Sequence, residues 1–194
     1  YQVENADTAP QNESKPANLR GNTIREMQWL FFAAGSDRRQ VSENVYKNHK
    51  RLYEKRPELY SEEVLDLNPT QLEVILREER MGIPKQSSEY WVRSARTLFK
   101  EFGGDPALLF EHCGNTVAGV LAFKNSRKED PLPGFGPKIT SLLALFLAEL
   151  GVIPFPDDAF AVDMHVQRIF QHVGAVTFLE PQLNEDLEKE LRPF

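Results

Sequence analysis

The residues best suited to chemistry lie in two short segments of the 194-residue chain, LPGFGPK at 132–138 and AVDMHV at 161–166. In the first segment, Gly134 and Gly136 stand directly before Pro137, a residue typical of the first position of a helix. Glycines let the backbone approach a ligand closely, and the N–H groups at a helix start bind anions, most naturally a phosphate. We call residues 132–136 the glycine turn. Its spacing excludes a Walker A loop and a dinucleotide-binding fingerprint, but an ordinary tight turn remains an alternative.

Lys138 and Asp163 are the two ionisable residues of these segments that could react. Asp163 follows Lys138 by 25 residues and stands immediately before a predicted helix. The pattern predicts an N-cap, in which the carboxylate accepts a backbone hydrogen bond, and an acid held in this way is also rigid enough for catalysis. Lys138 by itself is interpreted as a solvated first-turn cation or a phosphate contact.

Together, LPGFGPK, the apolar helix behind it and AVDMHVQRI (161–169) resemble the helix-hairpin-helix (HhH-GPD) DNA glycosylases, the superfamily of endonuclease III and the oxoguanine glycosylases. The resemblance covers about residues 19–191. Its supporting segments are Met27–Gly35, Ala95–Gly104 and Phe178–Leu191. It implies an all-α, two-lobed fold with a helix-hairpin-helix motif and an active-site cleft between the lobes.

The resemblance also assigns a role to each residue of the two segments. The backbone N–H groups of Gly134, Phe135 and Gly136 would hold a DNA phosphate without reading sequence. Lys138 falls where bifunctional members carry a lysine nucleophile, and Asp163 falls at the acid position. His165 matches the usual histidine of that motif, where a structural role is expected and a place beside the base pocket is the alternative.

These residue types suit base excision from double-stranded DNA that contains a damaged or modified base or an abasic site. Flipping the base exposes C1′ of its sugar, and a carboxylate there stabilises the cationic sugar that forms as the base leaves. A neutral lysine can then attack C1′, giving a Schiff base and β-elimination of the strand. No redox cofactor, iron–sulfur cluster or catalytic metal is expected. A monovalent cation bridging the hairpin to a DNA phosphate is the one ion that the resemblance allows.

Other residues are weaker candidates. Trp29, Phe31 and Phe32 could stack on a flipped base, but their helical spacing favours core packing. The basic residues before the glycine turn, Lys124, Arg127 and Lys128, could contact phosphates, although acidic neighbours dilute this patch. The pair 157–158 (Asp-Asp) lacks His or Cys ligands around it and is interpreted as a solvated loop.

Apolar periodicity and capping signals predict helices and no convincing β-hairpin, so the predicted fold class is all-α. Residues 1–22 are polar and are predicted to be a tail, followed by one helical domain over 23–194. The 116–123 segment also permits a strand, and its context favours a helix. The predicted helices run from Thr23 to a stop at Gly35, from Val41 to Lys55, from an Asn68 cap to about Glu79, from a Ser87 or Ser88 cap to Gly103, from Pro137 to Leu150, from Met164 to Val173 and from Asn184 to Leu191, with a short one at Ser61.

Composition sets broad limits on class and partner. Hydrophobic residues make up 41% of the chain, which excludes disorder throughout, and the longest apolar run is too short to span a membrane. The net charge of −6 argues against a general nucleic-acid coat protein, but residues 1–18 (net −2) and 180–194 (net −3) account for most of it and leave a nearly neutral body. The single cysteine, Cys113, forms no internal disulfide and favours an intracellular location. A monomer is expected.

Three functions therefore remain open: a glycosylase with abasic-site lyase activity, a hydrolytic glycosylase in which Asp163 activates water, and a catalytically silent DNA-binding module.

The chain departs from the family at residues 34–39 (AGSDRR), where many members carry a glutamine that probes DNA. The base excised therefore stays unassigned, with oxidised bases ranked first because lysine-bearing relatives favour them. The chain also stops at Phe194, where relatives continue, so a compact member and a shortened chain are both open.

Overall fold

The computed structural model describes residues 14–19, 21–37 and 42–160, and everything said below about structure refers to them. These residues are all-helical and contain no strand, which confirms the predicted all-α class. The seven α-helices are α1 (Thr23–Ser36), α2 (Ser42–Lys55), α3 (Pro69–Glu78), α4 (Pro84–Phe102), α5 (Pro106–His112), α6 (Val117–Asn125) and α7 (Pro137–Glu149). Short 3₁₀ helices cover Ala17–Leu19, Pro57–Tyr60 and Glu62–Asp66.

Helix α1 is the centre of the packing because both of its faces are covered. It contacts α7, α2 and α5, while α3 and α4 pack on each other and α6 packs on α7. Every residue from Glu26 to Ala34 is buried. The apolar residues that the sequence places on one stripe are therefore joined by a second buried face, as expected of a helix in the middle of a domain.

The helix starts follow capping rules that are visible in the sequence. Asn68 accepts a hydrogen bond from the backbone N–H of Gln71, and the Gln71 side chain accepts one from the backbone N–H of Asn68, which completes the predicted capping box. Thr116 caps α6, and Asp105 caps α5, a helix that the sequence analysis did not predict. Gly103 ends α4 in the left-handed conformation with φ 58°, as predicted.

Three predicted boundaries are wrong. Helix α4 begins at Pro84 rather than at Ser87 or Ser88, and the Ser88 hydroxyl instead donates to the carbonyl of Lys85 inside the helix. Helix α1 runs through Gly35 instead of stopping there. The predicted tail is partly packed structure, because Leu19 is fully buried and Lys15 forms an ion pair with the buried Glu26. The predicted helices at 164–173 and 184–191 lie outside the described residues.

The single thiol of the chain is not activated. Cys113 follows the last turn of α5 and is half-buried, and burial raises its pKa to about 11. At neutral pH it is a thiol rather than the thiolate that nucleophilic attack and metal binding require. In the described ranges no helix has the length and apolar character needed to cross a bilayer.

Candidate functional site

The glycine turn forms a tight turn directly before α7. The backbone N–H of Phe135 donates to the carbonyl of Leu132 at 3.1 Å, and Gly134 between them has φ 88°. Pro133 fits the second position of a type II turn, and the left-handed third position needs a glycine because a Cβ would be strained there. Gly134 is therefore required by the turn itself, whatever ligand the turn meets.

Two hydrogen bonds fix the chain where it enters the glycine turn, one from α4 and one from the residues just before the turn. The Thr97 hydroxyl, from α4, donates to the carbonyl of Pro131 at 2.8 Å. The backbone N–H of Leu132 donates to the Asp130 carboxylate at 3.0 Å, and Leu132 is fully buried. Buried hydrogen bonds of this kind fix a backbone because breaking them leaves unpaired polar groups. The sequence analysis missed both anchors, since neither residue carries a motif.

Phe135 pins the tip of the glycine turn to α1. Its ring stacks on Phe31 with 4.8 Å between centroids and 28° between planes, and it is buried. A Cβ on Gly35 would lie 3.1 Å from the Phe135 ring, so the glycine provides the space that the ring occupies. This is the physical reason why Gly35 stands inside α1 rather than ending it. The Phe135 side chain is a core residue, and only its backbone is left to contact a ligand.

The start of α7 offers unpaired backbone donors next to Lys138. Gly136 is the N-cap and supplies no side-chain acceptor, and Pro137 and Lys138 are the first two helical residues. The first N–H groups of a helix lack partners within it and carry the positive end of its dipole. Gly134, Gly136 and Lys138 are each partly exposed. Lys138 forms no ion pair with a carboxylate of the described residues.

Two of the three predicted phosphate-contacting cations are paired with carboxylates. Lys124 lies 2.9 Å from Asp130. Both terminal nitrogens of Arg127 donate to Glu101 at 2.6 Å, and its guanidinium lies 4.4 Å from the centroid of the Phe123 ring. The hydrogen bonds with Arg127 lower the pKa of Glu101. Lys128 is exposed and forms no ion pair with the described residues, so it is the candidate of the three whose charge is uncompensated.

The aromatic base-pocket candidates are in the core. Trp29 is fully buried and packs near Tyr46, with 6.1 Å between ring centroids, so it offers no face to a flipped base. Phe32 is stacked on Trp91 at 4.9 Å, with 12° between the ring planes. The helical spacing of Trp29 and Phe32 favoured core packing, and both side chains are buried in the core. Phe32 also lines a small cavity.

That cavity lies beside the glycine turn but is small. Its volume is about 20 Å³, enough for a water molecule and too small for a nucleobase. Ser94 on its wall is buried, and its hydroxyl has no partner among the described residues. The other polar lining comes from α1 and α4, at Ser36, Ser87 and Tyr90.

A larger cavity of about 220 Å³ lies elsewhere and contains no residue of the glycine turn. Its walls come from α1, α2 and the 3₁₀ segments near residue 60, with Tyr53 and Tyr60 as the buried aromatic part. Because no residue of 132–138 borders it, this cavity is not part of the site built around Lys138.

The second predicted segment, 161–166, lies outside the described residues, and the loop before it departs from its interpretation. Asp163 and His165 lie outside the described residues. The 157–158 pair was predicted to be a solvated loop, and this is wrong for Asp158, whose two carboxylate oxygens accept backbone hydrogen bonds from α6. Asp157 is exposed, as expected. No sequence signal could have found the Asp158 contact, because its partners lie 40 and 41 residues earlier.

Within the described ranges, no three His, Cys, Asp or Glu side chains converge as a metal site would require. Comparison of the chain with protein-family models, with curated proteins and with solved structures gives no match. The functional argument therefore depends on the residues of the chain and on their arrangement.

Proposed function

We propose that this chain excises a damaged or modified base from double-stranded DNA and then cleaves the abasic site by β-elimination. The observation that carries the proposal is the position of Lys138, partly exposed in the first turn of α7 and directly after a glycine turn that α4 and α1 hold in place. A nucleophile in this position has rigid surroundings, which reactions that depend on alignment require. The helix-hairpin-helix motif, formed by α6, the glycine turn and α7, and the two-lobed fold belong to this proposal.

Each part of the site has a step in the proposed reaction. The backbone donors of Gly134, Gly136 and the first turn of α7 hold a phosphate next to the flipped nucleotide. Asp163 stabilises the positive charge that develops on the sugar as the C1′–N bond breaks and the base leaves with the bonding electrons. The neutral Lys138 amine then bonds to C1′ and gives up a proton, and the sugar ring opens as the C1′–O4′ bond breaks and O4′ takes up a proton, which leaves a Schiff base at C1′. Loss of a 2′ proton from this Schiff base breaks the C3′–O bond and expels the 3′ phosphate.

The charge distribution supports binding that depends more on backbone donors than on many lysines and arginines. Arg127 and Lys124 are neutralised by Glu101 and Asp130, which leaves Lys128 as the free cation of this patch within the described residues. Each phosphate neutralised by a cation steepens the dependence of affinity on salt. We therefore expect a shallow salt dependence, in keeping with a chain whose net charge is −6.

The test is borohydride trapping on a duplex with one abasic site, combined with base-release assays on duplexes carrying one 8-oxoguanine, one thymine glycol or one uracil. The wild type is expected to form a covalent adduct, and Lys138→Ala is expected to form none. Lys128→Ala is the matched control, because it removes the same charge ten residues away and should lower affinity while leaving trapping intact at saturating DNA. Asp163→Asn should lose base release.

The outcomes separate the alternatives. Base release without any trapped adduct in the wild type means that Lys138 only binds phosphate and that Asp163 activates water. DNA binding that is unchanged by Asp163→Asn, with neither release nor trapping on any of these duplexes, means a silent binding module. Either result overturns the lysine-nucleophile proposal.

A further inference from the structure

Residues 127–135 run alongside α4, from near its C-terminal end towards its middle. Three contacts at successive positions fix this course. They join Arg127 to Glu101, Pro131 to Thr97, and Pro133 to the cavity wall that it shares with Ser94. The glycine turn therefore lies beside the middle of α4, and the side chains on this face of α4 are its neighbours.

Arg93 is on that face of α4. It precedes Thr97 by four residues, about one helical turn, so the two side chains leave the helix in nearly the same direction. The Thr97 hydroxyl oxygen lies 2.8 Å from the carbonyl oxygen of Pro131 and 3.4 Å from that of Arg93. The backbone of Arg93 is thus next to the chain where it enters the glycine turn.

The charge of Arg93 is not compensated as the charges of its neighbours are. Arg127 donates both terminal nitrogens to Glu101, whereas Arg93 is exposed and forms no ion pair with a carboxylate of the described residues. A guanidinium presents two parallel donors that match two oxygens of a phosphate. An anion that binds at Arg93 therefore does not have to displace a carboxylate of the described residues, as it would at Arg127.

We propose that Arg93 binds a second backbone phosphate of the DNA strand whose first phosphate is held by the glycine turn. This inference rests on the DNA partner of the proposed function and not on its chemistry. The glycine turn supplies backbone N–H donors, and Arg93 supplies a full positive charge beside them. Phosphate contacts fix the orientation of a protein on a duplex, so two contacts set the direction in which the strand passes Lys138.

Arg96 provides a matched control on the same helix. It is exposed like Arg93 and precedes Lys100 by four residues. The Lys100 ammonium lies 2.7 Å from the Glu62 carboxylate, in the 3₁₀ helix Glu62–Asp66. Arg96 therefore leaves α4 on the side of this 3₁₀ helix rather than on the side of the glycine turn. Arg96→Ala removes the same charge without removing a neighbour of the turn.

The first measurement is the affinity for DNA across a salt series. Fluorescence anisotropy follows binding of a labelled duplex with one tetrahydrofuran abasic-site analogue between about 50 and 200 mM salt. Arg93→Ala should weaken binding about five- to tenfold at the lowest salt and reduce the slope of log affinity against log salt by about 1, as expected for one lost phosphate contact. Arg93→Lys should keep the slope and recover part of the affinity, because it keeps the charge and loses the two parallel donors. Arg96→Ala should change affinity by less than about twofold, because salt screens a charge that touches no phosphate.

The second measurement identifies the phosphate itself. Duplexes in which one phosphate at a time is replaced by a neutral methylphosphonate are bound to the wild type and to Arg93→Ala. One replacement should weaken binding by the wild type and have no further effect on Arg93→Ala, since the variant has already lost that contact. A second replacement, at the phosphate of the glycine turn, should weaken binding by both proteins. Thermal unfolding of Arg93→Ala should match the wild type, because the side chain is exposed.

The outcomes separate this inference from the proposed function. Arg93→Ala with the affinity and salt slope of Arg96→Ala overturns the inference, and so does a series in which every methylphosphonate acts equally on Arg93→Ala and the wild type. Base release and trapping by the wild type leave the proposed function intact in both cases. A wild type that binds with the expected dependence on Arg93, but neither releases a base nor traps an abasic site, overturns the proposed function alone. A wild type that binds none of the duplexes overturns both.

Discussion

His49 gives the stability of this protein a specific dependence on pH. The imidazole is fully buried in α2, stacked on Trp91 with 5.4 Å between centroids and 8° between planes. Its Nδ1 lies 2.8 Å from the Tyr60 hydroxyl oxygen, and its Nε2 has no partner among the described residues. Burial lowers the pKa of His49 to about 3, because the charged ring would lose its hydration.

The size of the effect follows from the two pKa values. An exposed histidine in the unfolded chain has a pKa of about 6.5. Between this value and about 3 the unfolded state binds a proton that the folded state does not, so stability falls as the pH falls. Well above about pH 6.5 neither state protonates His49, so the residue causes no loss of stability there. At pH 5.0, protonation of His49 in the unfolded chain lowers the free energy of unfolding by about 2 kcal/mol relative to pH 7.5.

Urea unfolding followed by far-ultraviolet circular dichroism at pH 7.5 and 5.0 measures this effect. Because carboxylates also titrate in this range, the wild type is compared with His49→Gln. The variant is less stable at pH 7.5, since it loses the stack on Trp91, but its stability should fall by about 2 kcal/mol less between the two pH values. His112→Gln, at an exposed position, controls for the removal of an imidazole.

A His49→Gln variant that loses as much stability as the wild type between pH 7.5 and 5.0 would refute the reasoning. So would a His49 proton signal in the NMR spectrum that titrates near pH 6.5 in the folded protein. Either result would mean that the imidazole is hydrated in solution, and that the stack of Phe32, Trp91 and His49 opens.

Three further predictions concern helix α6 and the residues on either side of the segment before the glycine turn. Gly119→Ala should lower stability by about 1–3 kcal/mol in thermal unfolding, because its Cβ would overlap the backbone carbonyl oxygen of Cys113. Thr97→Val should cost about 1–3 kcal/mol in urea unfolding, because the buried carbonyl before the glycine turn loses its donor; unchanged stability would mean that water replaces the hydroxyl. Under the proposed function, Glu101→Gln should release Arg127 and strengthen DNA binding with a steeper salt dependence, measured by fluorescence anisotropy across a salt series.

The pairing of Arg127 with Glu101 also has a consequence for stability. The side chains of both residues are more than one third exposed, so solvent screens the ion pair and its contribution to stability is at most about 1 kcal/mol. The stack of the guanidinium on Phe123 adds packing that a lysine would not provide in the same way. Breaking this ion pair therefore costs little stability, so under the proposed function a DNA phosphate could replace Glu101 as the partner of Arg127.

Local chemistry explains the features that were predicted correctly. The Asn68 capping box, the left-handed glycine that ends α4 and the helix after Pro137 depend on residues within four positions of each other. Such interactions are set by neighbours along the chain, so their signals are present in the sequence. The same is true of the core, because helical spacing alone placed Trp29 and Phe32 in it.

The sequence by itself determined that the described residues are helical, where α3 begins, where α4 ends, and that a glycine turn leads into a helix bearing Lys138. The tertiary structure decided what each of these pieces touches: Gly35 makes room for Phe135, Glu101 neutralises Arg127, and Asp158 caps a helix 40 residues away. Contacts across such separations depend on how whole helices pack, and packing is a property of the assembled core rather than of any segment. The role of such a glycine, carboxylate or arginine therefore depends on which side chains the packed helices bring against it.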